Sequence, residues 1–199
     1  MNKNMNNNIK EFFDRLAPSW PNDHNINFIE SLIDKIEIKE GNRILDLGCG
    51  KGAITDLLYN KSKNKVIAID ISPKMIEGAK EIQALNSNND NFEFICLDFY
   101  KYNLNYKFDV IVVFDAYPHF LDVDEFVIIC NKILNENGKI AIIHDLSRKE
   151  LNEIHYNGAI EVSRLLSSPL EEAKKFNVLF TNIYNYEDDK CYVLILEKK

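Results

Sequence analysis

The 199-residue chain has no apolar run approaching the length that crosses a bilayer, which argues against a helical membrane protein. It has no Cys-x-x-Cys pair. Its four cysteines, Cys49, Cys96, Cys130 and Cys191, are widely separated, and three lie in or beside apolar runs, so reduced thiols are expected. A basic block is also missing: 24 Lys and Arg against 31 Asp and Glu leave a net charge of −7, which argues against phosphate contacts along nucleic acid. The opening MNKNMNNNIK has no signal-peptide core and is expected to be a disordered tail over 1–10 of a cytoplasmic protein. No internal repeat is present, and nothing in the sequence fixes an oligomeric state. What remains is a composition 46 % hydrophobic and 28 % charged, that of one globular domain, placed at 11–199.

Apolar, β-rich runs recur at RILDL (43–47), KVIAID (65–70), FEFICL (92–97), FDVIVVF (108–114) and KIAIIH (139–144), separated by segments of helical spacing. This βαβ alternation predicts an α/β fold, a doubly wound and mostly parallel sheet covered on both faces, with a ligand crevice at the carboxyl ends of its strands. NVLFTNIYNYEDDKCYVLILEKK ends the chain as two strands about an Asp-Asp turn, an antiparallel hairpin that completes the sheet. Before the first strand, EFFDRLAPSW and NINFIESLIDKIEI read as two helices broken by Pro18 and Pro21, and they are expected to cover the pocket.

The segment ILDLGCGKGAIT places Gly48, Gly50 and Gly52 in a strand-to-helix turn, with Cys49 inside it, so bare backbone faces a ligand. GCGKGA also satisfies a dinucleotide pattern. Asp46, two residues before the first glycine, suits a cationic ligand and not a pyrophosphate, which favours S-adenosylmethionine over a nicotinamide dinucleotide. Asp70 closes the second strand, where it can accept both ribose hydroxyls, and Ile71 and Met75 follow as apolar neighbours of an adenine. Asp98 can accept the adenine amine while the backbone of Phe99 reads a ring nitrogen.

In this order and spacing, ILDLGCGKGAIT, VIAIDISPKMIEGAK, FICLDF and FDVIVVFDAYPHF resemble the class I S-adenosylmethionine-dependent methyltransferases, from about Asp14 to the end of the chain. The resemblance implies a seven-stranded Rossmann-like sheet and methyl transfer to a small-molecule acceptor, with a cofactor-binding regulatory protein as the alternative. FFDRLAPSW is similar to the lead-in of the quinone C-methyltransferase branch, which implies lid helices over 11–40 and Trp20 as a lid residue.

The methyl group is then expected at the ends of strands four and five. His119 follows strand four, His144 ends strand five, and His155 lies on a short helix that Ser147 and Glu150 cap at Arg148. Arg148, Leu151, Asn152 and His155 fall on one side of that helix. Three imidazoles at one crevice mouth fit acid/base or positioning work, or a transition-metal site with an open position, or ordinary packing. Arg148, if it faces the pocket, suits an anionic acceptor. Phe114, with Tyr100, Tyr102, Tyr106, Tyr117 and Phe120, can form an apolar wall. Nothing in the sequence ties His24 to the site.

Overall fold

Strand β1 (Ile44–Leu47) is buried at every position, because helices cover both faces of the sheet in which it lies centrally. The computed structural model describes residues 3–21, 23–85, 89–103 and 105–199. Around β1 lie β2 (Val66–Asp70), β3 (Phe92–Cys96), β4 (Phe108–Phe114) and β5 (Leu134–His144), all paired in parallel. The C-terminal strands β6 (Phe180–Glu187) and β7 (Tyr192–Lys198) form an antiparallel hairpin, and β7 inserts antiparallel beside β5. The order is β3-β2-β1-β4-β5-β7-β6, a seven-stranded sheet. The expected doubly wound architecture is thus the observed one.

Alternation along β4 divides the core. Ile111 and Val113 face one layer with Phe126 and Phe176, and Val110, Val112 and Phe114 face the other with Ile29, Ile33 and Leu58. The helices are α1 (Lys3–Leu16), α2 (Ile26–Ile33), α3 (Thr55–Ser62), α4 (Pro73–Ala84), α5 (Val123–Ile133), α6 (Arg148–Gly158) and α7 (Pro169–Ala173). Several begin where their sequence dictates. Ser72 caps α4 ahead of Pro73, Asp122 caps α5, and Ser147 with Glu150 closes a reciprocal capping box on α6.

Two expectations need correction. β5 starts at Leu134, well before Lys139, because Leu134 pairs with Phe108 across a register shift. The segment 1–10 is not a disordered tail: from Lys3 it is the first part of α1, and residues 1 and 2 lie outside the described residues. Helix α1 is held by tertiary contacts its own composition does not advertise. Ile9 is buried with Ala159 and Val162, Phe12 and Phe13 pack against the same cluster, and Asp14 accepts from Ser72 Oγ at 2.6 Å. It therefore roofs the carboxyl end of the sheet.

Candidate active site

Beneath that roof is a cavity of about 330 Å³, within the usual range for small-molecule sites. Its floor is the turn after β1. Gly48 has φ +76°, and a Cβ there would stand 2.5 Å from the Ala116 Cβ, so only glycine lets the β1 and β4 loops approach. Gly50 (φ +53°) and Gly52 (φ +85°) continue the turn, and Cys49 lines the cavity with a thiol that burial pushes well above its ordinary pKa. Asp70 braces the turn from β2: Gly50 N–H donates to Oδ2 at 2.9 Å and Ser72 N–H to Oδ1 at 2.8 Å. A carboxylate has about four acceptor positions, so these bonds leave acceptor capacity for a ligand hydroxyl. Burial raises the Asp70 carboxyl to about 6 against those donors.

Asp46 departs from expectation. It does not line the cavity; it is buried under the turn and accepts from Thr55 Oγ1 at 2.7 Å. Burial, and then the nearby Asp70 charge, raise it to about 7 despite that bond.

Ile71, Met75 and Phe99 line the far end of the cavity with Asp98. Asp98 is already engaged: Asn6 Nδ2 donates to both its oxygens at 2.9 and 2.8 Å, Lys101 Nζ lies at 2.7 Å, and Tyr100 N–H donates at 3.2 Å. An adenine amine placed here would take the position Asn6 holds. Trp20 lines the cavity over Gly50, edge-on to Phe13 at 5.8 Å, where a lid residue was expected. Phe114 lines it at the end of β4. Of the expected aromatic wall, Tyr100 and Phe120 also line the cavity; Tyr117 is core, and Tyr102 and Tyr106 lie outside it.

The three expected histidines do cluster, but only one reaches the cavity. His119, on the turn after β4, lies edge-on to Phe13 at 4.8 Å and to His155 at 5.1 Å, with Nδ1 2.9 Å from the Val162 carbonyl. A carbonyl only accepts, so Nδ1 carries the hydrogen and Nε2 the lone pair. His155, reaching in from α6 beside Leu151, and His144, at the end of β5, form a buried layer behind His119. Burial pushes both His119 and His155 down to about 4, with neighbouring imidazoles adding to the effect, so both are neutral at pH 7.

A methyltransferase-domain family model matches residues 38–166, covering the glycine turn, Asp70, Asp98 and the histidine cluster. The chain belongs to the class I S-adenosylmethionine-dependent methyltransferases. Curated relatives of this methyltransferase include malonyl-[acyl-carrier protein] O-methyltransferase from Acetivibrio thermocellus, 32 % identical over 130 residues, 64 % of this chain and 44 % of that protein. A second such enzyme, from Ilyobacter polytropus, is 31 % identical over 142 residues, 67 % of this chain and 50 % of that one. The chain thus spans about half the length of these relatives. Among solved structures, N-methyltransferase NodS from Bradyrhizobium japonicum, in complex with S-adenosyl-L-homocysteine, superposes with a TM-score of 0.72 at 16 % identity. That match covers 96 % of this chain and 98 % of NodS, and shares the fold.

Two expectations about the methyltransferase's site find no support in the structure. Arg148 does not face the cavity: it lies on the outer side of α6, where Nε and Nη2 reach Glu187 of β6 at 2.7 and 3.3 Å, bonds that raise its pKa further. Asn152 likewise turns to the loop, exchanging hydrogen bonds with the backbone of Leu166. Nor does the structure support the metal reading of His119, His144 and His155: among the described residues no three His, Cys, Asp or Glu side chains are arranged to hold an ion. The His119 and His155 rings meet edge-on, at 81°, and the Val162 carbonyl already occupies His119 Nδ1.

Sequence reasoning missed His24, which lines the cavity and lies 3.8 Å from Asp145, and it missed Asn6. It also gave Asp115 no distinct role. That residue lines the cavity at the end of β4 with φ +50°, a conformation aspartate tolerates better than most residues.

Proposed function

We propose that this chain binds S-adenosylmethionine along the cavity and transfers its methyl group to a small-molecule acceptor held beside His119. The observation that carries the reading is one continuous cavity running from Asp70 and Asp98, past the bare backbone of Gly48 and Gly50, to Asp115 and His119 under α1. Asp70 has acceptor positions left for the ribose, Ile71, Met75 and Phe99 suit an adenine, and the glycine turn admits the methionine part against backbone. A cation bound above the turn would favour the ionised form of the buried Asp46. When bound, the cofactor supplies an electrophilic methyl on sulfonium. The chain's own task is to align the acceptor and exclude water, and α1, Phe13 and Trp20 close the site from above.

His119 supports acceptor positioning in this reading. Its neutral ring does not repel a sulfonium, and Nε2 is left as a hydrogen-bond acceptor for the attacking group. The Val162 carbonyl fixes its ring, and His155 packs edge-on against it at 5.1 Å. The covered cavity and the net charge of −7 favour a small acceptor over nucleic acid. Among the described residues no helix is long and apolar enough to cross a membrane.

Calorimetric titration with S-adenosylmethionine and with NAD, followed by incubation with methyl-labelled S-adenosylmethionine and a metabolite panel, tests the proposal. Binding of S-adenosylmethionine and not NAD, with label transferred to a small molecule, is expected. Tighter binding of NAD overturns the cofactor reading, and binding without turnover favours the regulatory alternative.

A further inference from the structure

The proposed acceptor site contains an arrangement of charge that the cofactor does not need. Asp115 presents a carboxylate to the cavity from the end of β4, within reach of the same space as His119 and His24. Its Oδ1 accepts from Asp145 N–H at 3.3 Å, and the two carboxyl groups face one another closely enough that burial and Asp115 together raise Asp145 to about 6. His144 is fully buried behind Asp115. Its Nδ1 lies 3.2 Å from Asp115 Oδ1 but out of line for a hydrogen bond, so among the described residues neither of its ring nitrogens has a partner. An orphaned buried imidazole against a strained, cavity-facing carboxylate describes a site whose hydrogen bonds are incomplete.

Among the described residues no lysine or arginine pairs with Asp115; the basic groups nearby are the His144 imidazole at 3.2 Å and, beside Asp145, His24 at 3.8 Å. Arg148, the one basic residue the sequence suggested there, is tied to Glu187 on the outside of α6. Phe13 and Phe114 line the same cavity, and the neighbouring His119 is neutral at pH 7. A carboxylate or phosphate acceptor would meet Asp115 with like charge, whereas a protonated amine on an apolar body would complete it.

We infer that Asp115 is the specificity-determining residue of the acceptor site and that the acceptor is a basic amine with an apolar body, methylated on nitrogen. This rests on the methyltransferase reading above. The ammonium gives one proton to the Asp115–Asp145 carboxyl pair, and from there it passes to solvent. The freed nitrogen lone pair forms a bond to the methyl carbon as the carbon–sulfur bond breaks. That electron pair stays on sulfur, leaving neutral S-adenosylhomocysteine, and the product departs as a methylated ammonium. Asp115 thus holds the charge before transfer, and His119 orients the nitrogen.

The test is binding to the full chain loaded with S-adenosylhomocysteine, using three probes of matched shape: phenethylamine, 2-phenylethanol and phenylacetate. Phenethylamine is expected to bind at least about tenfold tighter than either of the others, the scale of one charge-assisted hydrogen bond. Asp115→Asn, which keeps the shape and tolerates the same backbone conformation, is expected to abolish that preference while leaving S-adenosylhomocysteine affinity and the melting temperature near those of the parent. Equal binding of the three probes, tighter phenylacetate, undetectable phenethylamine, or a preference that survives Asp115→Asn overturns the inference while leaving the cofactor reading intact. Failure to bind S-adenosylhomocysteine overturns both.

Discussion

Glu172 is a fully buried carboxylate at the end of α7, and its removal is expected to be among the costliest single changes in the chain. Arg164 Nη1 and Nη2 reach its two oxygens at 2.9 and 3.3 Å, Lys175 Nζ lies at 2.8 Å, Tyr117 Oη at 3.2 Å, and Ser167 N–H donates at 3.3 Å. Burial alone would raise the carboxyl, but Arg164 and Lys175 outweigh it and hold it below its ordinary value. Glu172→Ala leaves Arg164, itself largely buried over the Tyr117 ring at 4.4 Å, without its partner. Breaking a buried pair in this way costs about 3–5 kcal/mol, against a total stability of roughly 5–15 kcal/mol for a domain. Function is affected through the same segment: Arg164 N–H donates to the Pro118 carbonyl at 3.0 Å, and Val162 holds His119. Urea denaturation followed by circular dichroism measures the loss. The double variant Arg164→Met/Glu172→Leu, which removes both charges, is expected to recover most of it. A Glu172→Ala cost below about 1 kcal/mol, the value of an exposed pair, would refute the argument.

Asp70→Ala removes the acceptor positions proposed for the ribose and is expected to weaken S-adenosylmethionine binding by about 1.5–3 kcal/mol in calorimetry; unchanged affinity in a folded variant argues against that role. Gly48→Ala adds a methyl 2.5 Å from the Ala116 Cβ at φ +76°, so lowered melting temperature and loss of cofactor binding together are expected. Asp46 binds its proton more tightly in the folded chain, at about 7, than in the unfolded chain, so its contribution to stability falls as pH rises from about 4 to about 7. Asp46→Asn, which mimics the neutral acid, is therefore expected to gain on the parent in ligand-free melting temperature across that window. A difference independent of pH contradicts the assignment.

The sheet was legible because strands buried on both faces are continuously apolar, and the cofactor turn because its glycines stand at fixed spacing after β1. The start of α6 was legible because a capping box is a local signal. Side-chain direction was not. Polarity alone grouped Arg148 with His155, yet Leu151 and His155 face inward while Arg148 turns to Glu187, 39 residues later in the chain. Helix α1 was hidden for a similar reason: an asparagine-rich segment has weak helical preference, and what fixes it is Ile9 against Val162 and Asn6 against Asp98, 92 residues away. His24 lies in a loop that carries no periodicity, so only the tertiary structure brings it to Asp145.

A crystal structure with S-adenosylhomocysteine tests the central claim most directly. The account predicts ribose hydroxyls on Asp70, the adenine between Met75 and Phe99 with its amine on Asp98 in place of Asn6, and the sulfur facing Asp115 and His119. A ligand lying outside the glycine turn, or a sulfur directed away from Asp115 and His119, would contradict it.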